Sequence, residues 1–137
     1  MVRQAVKITP DSNVLLRAIT GDDPRQSRAA QKALQSAELV GLTLPALCEL
    51  VWVLMRGYKI PAGEIAATIR RLIDASNVTV NRGAVEAGLQ VLQNNGDFAD
   101  GVIAHEGRWM GCNTFVSFDK QAVRLVAATG RKTQVPA

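Results

Sequence analysis

The stretch of sequence that decides the fold runs from Asp97 to Asp119 and reads DFADGVIAHEGRWMGCNTFVSFD. Its first part, as far as Met110, has the spacing of apolar residues that is typical of a helix, and residues 114–118 (TFVSF) are typical of a β-strand. The stretch therefore predicts a helix followed by a strand that ends directly at an acidic residue. A helix joined to a strand in this way is a building unit of α/β folds.

Helices and strands are also predicted to alternate before and after this stretch. Ala5 to Thr9 predicts a strand that stops at Pro10 and Asp11, and Asp22-Asp23-Pro24 predicts a helix start with an Asp cap and a proline in the first turn. Four strands separated by one or two helices need crossover connections, so we expect a mostly parallel sheet covered on both faces. The other predicted strands are residues 39–43 and 77–80, and the other predicted helices are residues 25–37, 45–56, 61–73, 85–95 and 121–128.

The length of 137 residues and the hydrophobic content of 47% indicate one domain rather than two. We expect a core over about residues 5–128 and a short basic C-terminal tail. The longest nearly apolar run, Leu42 to Met55, is interrupted by Pro45 and Glu49 and is too short to cross a membrane. Because the N-terminus lacks the apolar stretch of a secretory signal, the expected location is cytoplasmic.

The charge of the chain is weakly positive, and its distribution matters more than its total of +4. No acid follows Asp119, whereas Lys120, Arg124, Arg131 and Lys132 do. A basic surface attracts polyanions, so nucleic acid is a reasonable partner. Ordinary solvated charges would explain the same residues equally well.

The cysteines, the histidine and the aromatic residues are expected to be structural. Cys48 and Cys112 lie in apolar surroundings and fit reduced core thiols better than a disulfide or a zinc site. His105 is expected at the surface rather than as a general base. Most aromatic residues fall in apolar segments, so we expect them in the core and expect no role in base stacking.

Glu49 is the only charged residue between Leu42 and Met55. A buried carboxylate without a cationic partner is costly, so a positive group such as a divalent metal ion is expected near it. Oxygen ligands of this kind suit Mg²⁺ or Mn²⁺. The alternative is that Glu49 emerges at an exposed edge of its helix.

Four further acids lie where a parallel sheet gathers ligands. Asp97 and Asp100 share one face at the start of a predicted helix, and Asp119 follows a strand, as Asp11 does. Helix capping would explain one of the two acids Asp97 and Asp100, but two like charges on one face repel each other. A metal ion bound between them would offset this repulsion. A plain turn residue is the alternative for Asp119.

Four short motifs in this order resemble the PIN domain as found in VapC-type toxins of bacterial toxin–antitoxin pairs. They are DSNVLLR at residues 11–17 with GDDP at 21–24, CEL at 48–50, DFADGVIA at 97–104 and TFVSFD at 114–119. The resemblance extends from residue 6 to about residue 128. It departs from the family pattern at Ser12, where Thr is usual, and at Gly101, where Ala is usual.

The resemblance implies a PIN-like three-layer α/β/α sandwich with a central, mostly parallel sheet of about four strands. It implies that Asp11, Glu49, Asp100 and Asp119 are catalytic metal ligands, with Asp97 as an additional acid close by. One or two Mg²⁺ or Mn²⁺ ions would be the cofactor. Asn13 and Ser117 are candidate supporting residues, which would orient an acid or a metal-bound water.

The implied function is that of an endoribonuclease that hydrolyses RNA, acting as the toxin of a toxin–antitoxin pair. The implied partners are an antitoxin protein and a second copy of the chain, with the small residues Ala29, Ala30 and Ala33 as a candidate contact face. A metal-dependent nuclease or phosphatase acting on DNA or small phosphoesters is one alternative. A module that binds RNA or protein without catalysis is another.

Overall fold

Seven helices and five strands alternate along residues 4–137, the part of the chain that the computed structural model describes. All of the strands and helices predicted from the sequence are present, and every strand pair is parallel, so the α/β class is confirmed. In chain order the elements are β1 (Gln4–Ile8), α1 (Ser12–Ile19), α2 (Pro24–Ser36), β2 (Ala37–Gly41), α3 (Leu44–Arg56), α4 (Ala62–Ile73), β3 (Val78–Thr79), α5 (Arg82–Gln93), α6 (Phe98–Trp109), β4 (Thr114–Val116), α7 (Lys120–Ala128) and β5 (Lys132–Gln134).

Two elements were not predicted, α1 and β5, and the strands form two sheets where one sheet of about four strands was expected. One sheet has the order β1-β2-β3 and the other pairs β4 with β5. The strands are short, with only two residues in β3 and three each in β4 and β5. None of the helices in residues 4–137 is long and apolar enough to span a membrane.

The described chain divides into two compact units. The first unit contains residues 4–60 and Ala67–Val80, and the second contains Pro61–Ala66 and Asn81–Ala137. The organisation as one PIN-like domain stays a prediction.

The first unit is built on the three-stranded sheet. Ile8 pairs with Val40, and Val40 pairs in turn with Val78. Asn77, just before β3, is buried, and its side-chain amide donates to the carbonyl oxygens of Leu34 and Ala37 at 2.9 and 3.0 Å. The amide thereby ties the start of β3 to the end of α2 and the start of β2. The core residues of this unit are Leu15, Val40, Leu47, Leu50, Val51, Leu54, Ile69 and Ile73.

The helix starts in this unit follow the expected local chemistry. The Asp23 carboxylate accepts a hydrogen bond from the backbone nitrogen of Gln26 at 3.0 Å, and Pro24 is the first residue of α2. Proline suits this position because its missing N–H would have no partner inside the helix. The predicted Asp-Pro start of α2 is confirmed.

The second unit is dominated by the close packing of α5 on α6. A Cβ atom added to Gly101 of α6 would lie 2.3 Å from the carbonyl oxygen of Ala87 and 2.8 Å from the Cα of Gly88 on α5. The two backbones approach this closely because both helices have glycine at the contact. Asp100 precedes Gly101 and therefore occupies a position fixed by this packing. The core residues of this unit include Val85, Leu89, Val91, Leu92, Phe98, Val102 and Val126.

Candidate functional site

Asp11 follows β1 and begins α1. The strand ends at Ile8, and the Asp11 carboxylate oxygen Oδ1 accepts a hydrogen bond from the backbone nitrogen of Val14 at 2.9 Å. Asp11 is exposed and is the N-cap of α1. The helix cap gives the Asp11 carboxylate a fixed position, three residues after the carboxyl end of β1.

Glu49 lies on α3 and is exposed, so the expectation that it is buried was wrong. The helix turns Leu47, Leu50 and Val51 into the core, and this orientation places Glu49 on the outer face. Its position is nevertheless defined, because the Ser12 hydroxyl donates a hydrogen bond to Oε2 of Glu49 at 2.5 Å.

Ser12 is a residue that the sequence reasoning missed. It directly follows Asp11 and contacts Glu49, so it links the positions of two candidate metal ligands within the first unit. Asn13, the residue proposed to orient Asp11, is exposed and its side chain makes no hydrogen bond within residues 4–137. The signal for Ser12 was available, because the family pattern usually has Thr there, which is also a hydroxyl residue.

Asp97 and Asp100 lie at the start of α6. Asp97 is the N-cap, and its Oδ1 accepts a hydrogen bond from the backbone nitrogen of Ala99 at 3.0 Å. Asp100 is half-buried in the first turn. Burial raises the pKa of Asp100, and the neighbouring carboxylates of Asp97 and Asp119 raise it further. Asp97 and Asp119 therefore act electrostatically on Asp100 within the second unit.

Asp119 lies in the connection from β4 to α7. Its Oδ1 accepts hydrogen bonds from the backbone nitrogens of Gln121 at 2.9 Å and Ala122 at 3.2 Å, so it is the N-cap of α7. The Ser117 hydroxyl oxygen accepts a hydrogen bond from the backbone nitrogen of Asp119 at 3.0 Å. Ser117 thus holds the backbone of this acid rather than its carboxylate.

Asp97, Asp100 and Asp119 form a group of negative charges in the second unit. Within residues 4–137, none of Asp97, Asp100 and Asp119 forms an ion pair with Lys, Arg or His. A bound cation would offset their repulsion, and carboxylate oxygens are the donors that hard divalent ions prefer. The donor set therefore fits a divalent ion. In the described part of the chain, no three or more His, Cys, Asp or Glu side chains lie close enough together to hold a metal ion. The convergence of Asp11, Glu49, Asp100 and Asp119 in one pocket stays a prediction.

The residues expected to be structural are less buried than the sequence suggested. Cys48 is partly buried and Cys112 is exposed, so the expected core position is wrong for Cys112, although neither cysteine forms a disulfide within the described residues. The expectation that most aromatic residues lie in the core is met only in part, because Phe98 is buried but Trp52, Trp109 and Phe118 are exposed. An apolar segment does not specify which of its residues faces the core.

His105 is half-buried rather than at the surface. Its Nδ1 lies 3.2 Å from Nη2 of Arg131. A Cβ atom added to Gly83 would approach its ring to 2.9 Å, so the imidazole packs closely on the first turn of α5. The side chain is therefore held by its neighbours, and among the described residues it forms no hydrogen bond or ion pair with the candidate metal ligands.

Comparison with known proteins gives one family match. A family model described as "PIN domain" matches residues 8–128. No curated protein matches the chain. The matched range contains Asp11, Glu49, Asp97, Asp100 and Asp119.

Proposed function

Because the chain belongs to the PIN domain family, whose members are typically nucleases that use divalent metal ions, we propose that it is a Mg²⁺- or Mn²⁺-dependent endoribonuclease. The observation that carries the proposal is the environment of Asp100. This carboxyl group is half-buried, its pKa is raised by burial and by Asp97 and Asp119, and it has no cationic partner within residues 4–137. Such an acid is disfavoured in its charged form unless a cation binds beside it.

The proposed ligands are Asp11, Glu49, Asp100 and Asp119. Asp11 and Asp119 each use Oδ1 to cap a helix, and Oδ2 of each accepts no hydrogen bond within residues 4–137, so one oxygen remains for a cation. Glu49 has one carboxylate oxygen in a hydrogen bond with Ser12. Asp97 caps α6 and is proposed as a secondary acid, which orients water or substrate.

Hydrolysis of a phosphodiester needs an activated water and relief of charge on the phosphoryl oxygens. A bound divalent ion would supply both, by lowering the pKa of water and by polarising the phosphate. Asp11, Glu49, Asp100 and Asp119 would hold the ion, and Ser12 and Ser117 restrict the positions of Glu49 and Asp119. Asn13 is proposed as a further supporting residue beside Asp11.

The test compares two acids that lie on one helix. Asp100→Asn keeps the shape of the side chain and removes its charge, so it is expected to abolish Mn²⁺-dependent RNA cleavage. Asp97→Asn is expected to leave weakened but measurable activity, because its main contact is the helix cap. Glu64→Gln changes an exposed acid on α4 and serves as the charge-matched control.

The outcomes are measured as cleavage of a single-stranded RNA over a Mn²⁺ titration, with the Mn²⁺-induced rise in melting temperature as a second measurement. If Asp97→Asn is inactive and Asp100→Asn retains near-normal activity, the proposed roles are reversed. If all three variants cleave as the wild type does, the acids do not form the active site.

The alternatives are separated by the choice of substrate. Preferential cleavage of a DNA strand over an RNA strand of matched sequence would favour the deoxyribonuclease alternative, and hydrolysis of small phosphoesters alone would favour a phosphatase. Tight RNA binding with no cleavage in Mn²⁺ would favour a binding module.

A role as the toxin of a toxin–antitoxin pair is part of the proposal, with an antitoxin protein and a second copy of the chain as partners. Ala29 and Ala33 of α2 are exposed, whereas Ala30 is buried. The candidate contact face therefore consists of Ala29 and Ala33. Light scattering of the purified chain, alone and with the product of a small neighbouring gene, would measure both associations.

A further inference from the structure

A cavity in the second unit has a lining that the proposed metal site does not explain. Its volume is about 330 Å³, and it is lined by residues of α6, β4 and β5 and of the loops beside them. Three of its lining residues are basic, Arg108, Arg131 and Lys132, and none of its lining residues, all in the described chain, is acidic. This cavity is therefore suited to an anion rather than to a metal ion.

Arg131 is the best-positioned of the three cations. It is half-buried, Nη1 donates to the carbonyl oxygen of Ala104 at 3.5 Å, and Nη2 lies 3.2 Å from Nδ1 of His105. With the His105 proton on Nε2, Arg131 donates to Nδ1 as well. Both partners are then neutral, and Arg131 forms no ion pair within residues 4–137. Its charge is fixed in place and not neutralised, which leaves it available to an anionic ligand.

Phosphate is the anion that this lining fits. The planar guanidinium group of arginine matches the geometry of phosphate oxygens, and lysine adds a compact positive charge. Asn113 and Thr114 also line the cavity and add polar side chains beside the cations. The volume lies at the lower end of the range for small-ligand sites, so one phosphate with part of its nucleotide would fit.

An exposed tryptophan favours a nucleic acid over an acidic peptide. Trp109 follows the cavity residue Arg108 at the end of α6 and is 83% exposed. Proteins that bind single-stranded nucleic acid combine a basic groove with exposed aromatic rings on which bases stack. An acidic peptide would satisfy the cations but would give the indole ring no comparable role.

We propose that this cavity is a subsite for a backbone phosphate of single-stranded RNA. Arg131 is its main donor, Arg108 and Lys132 lie beside it, and an adjacent base stacks on Trp109. The choice of RNA rests on the proposed function. The residues of the subsite are separate from the proposed metal ligands, so the two proposals can fail independently.

The experiment measures binding of a short, fluorescently labelled single-stranded RNA to the full chain by fluorescence anisotropy, in EDTA so that cleavage does not interfere. Arg131→Gln is expected to weaken binding about 10-fold, which is the effect of losing one charge-assisted hydrogen-bond donor. The slope of log K against log salt should decrease in magnitude by about 0.7, the value for one phosphate contact on a single strand. Arg124→Gln removes the same charge from an exposed position on α7 outside the cavity and should change binding less than about 2-fold.

Variants at two further positions keep the test valid if Arg131→Gln is unstable. Arg108→Gln changes an exposed residue and should also weaken binding and reduce the salt slope. Trp109→Ala should weaken binding, and Trp109→Phe, which keeps an aromatic ring, should restore most of it.

The proposal is overturned if Arg131→Gln and Arg108→Gln behave like Arg124→Gln, because the charge effect would then be diffuse. It is also overturned if these variants weaken binding of a glutamate-rich peptide but not of RNA, which would assign the cavity to a protein partner. Loss of RNA binding in Arg131→Gln, in a protein that shows no Mn²⁺-dependent cleavage, would retain the subsite and contradict the proposed function. Cleavage that requires Asp100, with RNA binding independent of Arg131 and Arg108, would support the proposed function and contradict the phosphate subsite.

Discussion

Gly101→Ala is expected to destabilise the protein, although alanine is the better helix former. The added Cβ would lie 2.3 Å from the carbonyl oxygen of Ala87 and 2.7 Å from its carbonyl carbon, whereas ordinary van der Waals contact begins at 3.4 Å. The added Cβ is about 1 Å closer to the Ala87 oxygen, at 2.3 Å, than the ordinary contact distance of 3.4 Å, so α5 and α6 must separate by about 1 Å at this point. The opposing atoms belong to the backbone, so rotation of a side chain cannot relieve the contact.

The magnitude follows from two opposing effects. Overpacking of a close contact costs about 1–3 kcal/mol, and replacement of glycine by alanine inside a helix returns about 1 kcal/mol. The net loss expected from these two effects is up to about 2 kcal/mol. Gly107→Ala is the matched control, because Gly107 is in the same helix and its added Cβ would have no atom within 4 Å. That variant should be more stable than wild type by up to about 1 kcal/mol.

The assay is urea denaturation of the two variants and the wild type, followed by measurement of RNA cleavage. Gly101→Ala should unfold at lower urea than Gly107→Ala, with a difference of about 1–3 kcal/mol between them, which is the cost of the close contact alone. Because Asp100 is the adjacent residue, a shift of about 1 Å should also reduce cleavage by about 100-fold. Equal stability of the two variants would refute the close approach of α5 and α6 as the reason for glycine at a position where the family pattern has alanine.

Two other predictions concern the first unit. The pKa of Asp22 is lowered chiefly by the hydrogen bond from the Tyr58 hydroxyl, so the stability from this contact is present above the ordinary pKa of Asp22 and lost as the pH falls through the lowered value. Asp22→Asn should therefore be less stable than wild type near neutral pH and approach it in acid; a stability difference that stays constant with pH would contradict this cause. Asn77→Ala removes both donors to the carbonyl oxygens of Leu34 and Ala37 in a buried position, so thermal denaturation should show a loss of about 1–3 kcal/mol; a loss of only a few tenths would indicate that water replaces the amide.

Local signals predicted most of the fold. The Asp23-Pro24 pair marked the start of α2, and the apolar spacing after Asp97 marked α6. α1 was missed because Asp11 was interpreted only as the end of a strand, whereas it also caps the helix that follows. β5 was missed because its residues are largely polar and its pairing with β4 is a non-local contact that leaves no periodic pattern.

The sequence predicted which acids lie at strand ends and helix starts better than it predicted their burial and contacts. The sequence identified the acids at the strand ends and helix starts, and Asp11, Asp97 and Asp119 occupy those positions. It did not identify the contact of Ser12 with Glu49, because a pairing across 37 residues depends on how α1 packs on α3. It also favoured a buried position for Glu49 over the exposed helix edge that the structure shows, since the composition of a segment does not define its exposed face.

Helix capping and metal binding are compatible explanations for three of the acids. Asp11, Asp97 and Asp119 each accept backbone hydrogen bonds through Oδ1, and a carboxylate has a second oxygen that can bind a cation. Capping holds these carboxylates in fixed orientations, which favours rather than prevents ligation. Capping does not explain Asp100, whose side chain makes no hydrogen bond within residues 4–137 and is half-buried beside two like charges. An acid that makes no hydrogen bond among the described residues and is repelled by its neighbours would be stabilised by a ligand that carries positive charge.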